Sequence, residues 1–226
     1  MRGALIAILA VALAGCGSTS SSLSASSSTT TAAPPGSATA TGCRSVSIPA
    51  PRKPSHAKPP AHTLDPAKTY MVHVTTNCGS FAFTLNVAGS PKTASSFYAL
   101  VKSGFYDNLT FHRIVPEFVI QGGDPAGNGT GGPGYTVVDA PPANLRYATG
   151  DVAMAKTAAQ PSGASGSQFF VVLSAAGAAQ LTPVYALLGR VVSGLKVVKR
   201  IGALPTNSAQ YPNPPVVMSS VTVSVS

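Results

Sequence analysis

The chain has 226 residues, with 15 Lys and Arg against 6 Asp and Glu, 9% charged residues, no Trp, 22 Gly and 20 Pro. That length suits one globular domain with accessory segments, and the Gly and Pro content argues for many turns and mostly β structure. Beyond Leu64 ten basic residues face six acidic ones, and no basic run is interleaved with aromatics, so nucleic acid is not an expected partner. The acids show no metal-loop spacing and the cysteines no CxxC or Cys/His pattern, so no metal and no other cofactor is expected.

Arg2 precedes an apolar run from Ala4 to Leu13 that is too short to cross a bilayer as a helix and ends in Leu13-Ala14-Gly15-Cys16. Residues 1–15 read as an export signal. The ending also resembles the bacterial lipobox, in which a cysteine behind small residues receives a diacylglyceryl group. Cys16 is therefore the expected lipid anchor, and the expected location is the outer face of a bacterial cell membrane. Residues 16–63 read as a tether: Ser18 to Ala40 is almost all Ser, Thr, Ala and Pro, with too little apolar surface to offset its ordering entropy. From Pro49 to Pro60 the repeated prolines favour a stiffer, polyproline-like stretch, and order is expected from Leu64. Outside the cytoplasm Cys43 and Cys78 could be bridged, with free thiols the open alternative.

Tyr70–Thr75 and Phe81–Leu85 flank Asn77-Cys78-Gly79, a hairpin signal in which glycine supplies the positive φ. Ser90-Pro91 then offers an N-cap and an N1 proline, Ala94, Phe97 and Val101 share a helical face, and Gly104 is placed to stop the helix. Further strands are expected at Thr110–Val115, Phe118–Gln121, Val152–Ala155, Phe169–Leu173 and Ala186–Val192, with a second short helix from Leu195 to Ile201. The alternating run Val221 to Val225 suits a last strand with one buried face. Antiparallel strands without a βαβ rhythm point to a closed barrel capped by helices.

The run Phe111-His112-Arg113-Ile114-Val115-Pro116-Glu117-Phe118-Val119-Ile120-Gln121-Gly122-Gly123-Asp124 brings an Arg, large apolar groups and a Gln together on neighbouring strands. Downstream come Gly129-Thr130-Gly131-Gly132 with Tyr135, then Met154-Ala155, then Ser165-Gly166-Ser167-Gln168-Phe169-Phe170, and Leu188-Gly189-Arg190-Val191. In this order the segments resemble the cyclophilin peptidyl-prolyl isomerases over roughly residues 64–226. The resemblance implies a mostly β, closed antiparallel eight-stranded barrel capped by two helices, acting without a cofactor on proline-containing segments; a monomer is the default expectation. It makes Arg113 the catalytic residue and Phe118, Val119, Phe170 and Leu181 the proline pocket. Gln121 and Ala155 line the substrate groove, and His112, Gln168, Gln180 and Tyr185 complete the implied substrate-binding set. Where many relatives have Met, Trp and His, this chain has Val119, Gln180 and Tyr185, and Lys156 replaces a common Asn.

Two other functions are weighed against this. Gly127 to Gly132 fits GxGxxG, but Pro133-Gly134 follows instead of a helix, so no helix N-terminus would face a phosphate. His112 near serines lacks the GxSxG elbow of a serine hydrolase. The remaining alternative is a non-catalytic module or holdase that binds proline segments without turnover.

Overall fold

Val72 and Val74 are fully buried while His73 and Thr75, which alternate with them, are exposed, and this period of two carries β1 (Tyr70–Thr76). The computed structural model describes residues 42–53 and 55–226; the export signal, Cys16 and the Ser/Thr-rich part of the tether lie outside the described residues. A turn at Asn77-Cys78 returns the chain as β2 (Gly79–Leu85), in register from Met71 opposite Thr84 to Thr76 opposite Gly79. The strands that follow are β3 (Leu109–Thr110), β4 (Arg113–Val115), β5 (Val119–Gly122), β6 (Val137–Val138), β7 (Asp151–Met154), β8 (Ala164–Ser165), β9 (Phe169–Val172), β10 (Leu187–Ser193) and β11 (Val217–Val225). Nine of them form one antiparallel sheet in the order β3-β11-β1-β2-β10-β7-β9-β5-β4, and β6 pairs only with β8.

The sheet is mostly β and strongly curled, but its ladder differs from the expected closed eight-stranded barrel. The order is open between edge strands β3 and β4. The expected single strand over Thr110–Val115 breaks at Phe111-His112, where the Phe111 N–H donates to Val216 O at 3.0 Å instead of continuing a β4 pairing. Only those two residues separate the two edges, so the sheet must curl until the edges approach, and the covalent chain spans the gap that no ladder fills.

Three helices occur among the described residues, not two. In α1 (Pro91–Lys102) Pro91 occupies the first turn, yet Ser90 makes no side-chain cap. Asp139 takes that role from a distant loop, its carboxylate accepting from the Thr93 N–H at 2.6 Å at the positive end of the helix. Gly104, at φ +70°, ends the helix as expected, with the Phe105 N–H returning to Leu100 O at 3.0 Å. The short helix expected at Leu195 is α3 (Leu195–Gly202). The unforeseen helix is α2 (Ala175–Ala179), capped by Ser174 Oγ, which accepts from the Gly177 N–H at 3.0 Å. The inner face of the sheet and α1 enclose an aromatic core in which Phe97 stacks on Tyr106 at 4.6 Å and meets Phe169 edge-on at 5.6 Å.

The proline-rich segment ahead of β1 does not run free throughout. Cys43 and Cys78 form a disulfide, the Arg44 N–H donates to Asn77 O, and the Arg52 guanidinium donates to the carbonyls of Phe105 and Asp107. Residues 42–53, expected within the tether, are thus strapped along the domain, because a disulfide and backbone hydrogen bonds supply what their composition lacks.

Gly177 is the point where α2 meets the turn before β5: a Cβ there would lie 2.6 Å from Glu117 O and 2.9 Å from Phe118 Cα. In an open helix Gly→Ala stabilises by about 1 kcal/mol. Here the collision should reverse the sign, so Gly177→Ala is expected to destabilise by about 1–3 kcal/mol in urea unfolding.

Candidate active site

Directly opposed residues of an antiparallel pair share one face of the sheet. The register places Arg113 opposite Gln121, Gln121 opposite Phe170, and Phe170 opposite Ala153, a row that crosses β4, β5, β9 and β7. The adjacent row, Ile114, Ile120, Val171 and Val152, is fully buried in the main core. The row that holds Arg113 therefore faces outward. On that face a second apolar cluster gathers Val119, Tyr147, Ala153, Phe170, Val172 and Ala178, with Phe118, Ala155, Leu181 and Tyr185 packed partly buried against it.

Arg113 is held at the edge of this cluster by a relay of side-chain amides. Its Nε–H donates to Gln210 Oε1 at 2.7 Å and its Nη1–H to Gln121 Oε1 at 3.3 Å. Gln121 Nε2 donates to Gln168 Oε1 at 3.0 Å, and Gln168 Nε2 donates to the carbonyls of Gly129 and Gly131 at 2.9 and 3.0 Å. Behind these carbonyls the buried Asp124 carboxylate accepts from the N–H groups of Ala126, Asn128 and Gly129. The glycine-rich loop that mimics a nucleotide motif thus turns its backbone donors onto the chain's own carboxylate.

The apolar wall is shaped by turns. Glu117, at φ +60°, reverses the chain between β4 and β5, and Phe118 O accepts from the Leu173 N–H at 2.9 Å. Phe170 meets Tyr185 edge-on at 5.3 Å between ring centroids. Tyr147 fixes Tyr185 from below, its hydroxyl donating to Tyr185 O at 2.6 Å and accepting from the Tyr185 N–H at 3.1 Å. Burial pushes the Tyr147 phenol up to about 12, so it keeps its proton and this donor role at neutral pH. Lys156 caps a neighbouring loop, donating to Thr157 O and Gln160 O, with its Nζ 5.9 Å from the Tyr185 ring centre.

Of the residues expected in the site, Arg113, Phe118, Val119, Gln121, Ala155, Gln168, Phe170, Leu181 and Tyr185 come together here. His112 and Gln180 do not. His112 precedes Arg113 and is turned to the other side of the strand, where it lines a cavity of about 150 Å³ with the strap residues Ile48 to Pro51 and with Tyr211. Gln180 is exposed at the end of α2, and its Nε2 folds back to Ala176 O at 3.3 Å. Two residues that hold the site, Tyr147 and Gln210, carry no local sequence signal, since each acts on a partner 38 or 97 positions away.

Residues 71–223 match the family model described as cyclophilin type peptidyl-prolyl cis-trans isomerase/CLD. The chain belongs to the cyclophilin family. It is 40% identical over 148 residues to the Schizosaccharomyces pombe peptidyl-prolyl cis-trans isomerase ppi1, covering 64% of this chain and 93% of that protein. It is 39% identical over 140 residues to an Aspergillus niger peptidyl-prolyl cis-trans isomerase-like 1, covering 61% and 84%. A crystal structure of a Cryptosporidium parvum cyclophilin type isomerase, in the presence of the dipeptide Ala-Pro, superposes with a TM-score of 0.62 at 31% identity over 68% of this chain and 98% of that one. The protein is thus a cyclophilin-type peptidyl-prolyl cis–trans isomerase, and cyclophilins bind proline-containing peptides.

His112 also gives this cyclophilin a pH dependence. It is 5% exposed, and burial lowers its pKa below 6.5 against the opposing pulls of the Asp124 carboxylate and of the Thr110 backbone. The unfolded chain therefore takes up the proton first as pH falls. Stability is full above about 6.5 and is lost as pH drops toward the depressed folded value. Urea unfolding at about pH 7.5 and about pH 5 should show this loss, and His112→Gln should flatten it.

Proposed function

We propose that this cyclophilin accelerates rotation about X–Pro bonds in exported or cell-surface proteins, with Arg113 stabilising the twisted amide. The carrying observation is the placement of Arg113: a guanidinium fixed by two side-chain amides at the rim of an apolar cluster formed by Phe118, Val119, Phe170 and Leu181. The bond rotates over a barrier of ~18–20 kcal/mol because the nitrogen lone pair is delocalised into the carbonyl. No covalent bond need be made or broken. As the bond twists, the lone pair localises on nitrogen, and a donor such as Arg113 interacts with it more strongly than with the planar amide, which is transition-state stabilisation.

The residues divide the work. The apolar cluster takes the proline ring, and the low local dielectric beside it strengthens the guanidinium interaction. Gln121 and Gln168 offer amide groups to the peptide backbone next to the ring. The guanidinium acts as a donor without giving up its proton, since no covalent bond changes.

Cell context follows from the N-terminus. Leu13-Ala14-Gly15-Cys16 supports export and lipidation at Cys16, with a tether reaching from the membrane to the domain. On this reading the enzyme works as a monomer on unfolded or surface-exposed segments outside the cytoplasm.

Arg113→Ala in the full chain is expected to lower kcat/KM by roughly 10²–10³-fold in a protease-coupled assay with a proline peptide, the scale of a lost transition-state donor, while far-UV circular dichroism stays unchanged. Wild-type turnover in the folded variant would sink the mechanism and favour a module that only binds. Cys16→Ser should move the protein from the membrane fraction to the soluble one, and an unmodified Cys16 in soluble wild type would remove the anchor.

A further inference from the structure

The guanidinium of Arg113 has two protein acceptors, and the shorter contact comes from outside the sheet. Gln210 belongs to the loop between α3 and β11, 97 positions from Arg113, and its Oε1 accepts from Arg113 Nε–H at 2.7 Å against 3.3 Å for Gln121. The loop is braced around Asn207. Its Oδ1 accepts from the N–H groups of Ala209 and Tyr211, its carbonyl from Gln210, and its N–H donates to Tyr211 O. The Gln210 carbonyl in turn accepts from the Ile114 N–H at 2.9 Å, so the loop also covers the outer edge of β4.

Backbone conformation supplies a second, independent observation. Gln210 has φ +65°. That region is cheap for Gly and favours Asn over other residues, and glutamine is not among the types enriched there. The edge-covering carbonyl would be available from a glycine with less strain. What a glycine cannot supply is the side-chain acceptor. Strained backbone that persists where a cheaper residue would serve points to a task for the side chain.

We propose that Gln210 is a positioning residue for Arg113: its amide oxygen locks Nε–H and so fixes the plane of the guanidinium, leaving the remaining donors free to meet the amide nitrogen. This inference rests on Arg113 acting as the transition-state donor. An unlocked guanidinium would rotate about its long flexible stem and spend less time in the productive orientation, so the loss belongs in kcat more than in KM. The peptide-binding wall lies elsewhere and would be untouched.

The test uses the full chain with three variants, Gln210→Gly, Gln210→Glu and Arg113→Ala, and two readouts. One is turnover of a proline peptide, and the other is the ¹H–¹⁵N resonance of Arg113 Nε–H, assigned by its loss in Arg113→Ala. Gln210→Gly, which relieves the φ strain, should keep the melting temperature while lowering kcat/KM about 10-fold through kcat, and its Nε–H should shift and exchange faster. Gln210→Glu restores an acceptor and should recover both the resonance and most of the turnover. If Gln210→Gly retains wild-type turnover, or loses turnover with an unmoved Nε–H resonance, positioning by Gln210 is overturned while the Arg113 mechanism stands. Wild-type turnover in Arg113→Ala would overturn both.

Discussion

Everything at the site depends on the two-residue period of β4, β5, β9 and β7. Because opposed residues share a face, Arg113, Gln121, Phe170 and Ala153 form one row outside the sheet while Ile114, Ile120, Val171 and Val152 form the adjacent row inside it. A slip of one position in β4 would bury a guanidinium and expose an isoleucine. The penalty for either is several times the stability of an ordinary hydrogen bond, so the register that builds the core also builds the site. The same sheet serves two apolar clusters, and the outer one stays partly open because a curled sheet covers only its concave side.

Polar groups at the site are satisfied in series, and this gives the row its rigidity. Asp124 gathers the backbone donors of its loop, the loop carbonyls hold Gln168, Gln168 holds Gln121, and Gln121 meets Arg113. Each amide uses its oxygen and its nitrogen on different partners, so no member can turn over without losing two contacts. The far end of the series is fixed by a buried carboxylate with three backbone donors, which needs no help from a ligand. On the apolar side Tyr147 plays the equivalent part, closing two hydrogen bonds with the Tyr185 backbone inside a site that keeps its phenol protonated.

Much of this was legible in the chain because it is local. The hairpin at Asn77-Cys78-Gly79, the helix opened by Pro91 and closed by Gly104, and the row from Arg113 to Gln121 all rest on spacings of a few residues. Alternation alone, applied strictly, also argues against His112 in the groove, since a neighbour of Arg113 within one strand run faces the other way. The side-chain direction of Gln180 is not legible for a different reason: no strong motif lies between Phe170 and Leu188, and the five-residue helix Ala175–Ala179 carries too little periodicity to orient the residue that caps it. Asp139 at α1 and Gln210 at Arg113 were invisible because both act through loops whose paths depend on the finished fold.

The strap shows how composition can mislead in the other direction. A proline-rich segment with little apolar surface cannot fold by itself, and the reading of residues 16–63 as tether follows from that. Yet residues 42–53 need not fold by themselves. A disulfide to Cys78 confines them near the domain, and once confined, each further hydrogen bond from Arg44 or Arg52 costs little additional chain entropy. Confinement has a functional side in an enzyme that binds proline segments. A free tether carrying X–Pro bonds would compete for its own active site at an effective concentration of about millimolar. Pro49 and Pro51 instead form part of the wall of the cavity that His112 lines, on the opposite side of β4 from Phe118, Val119 and Phe170, so the strap's own prolines are kept out of the groove that takes substrate.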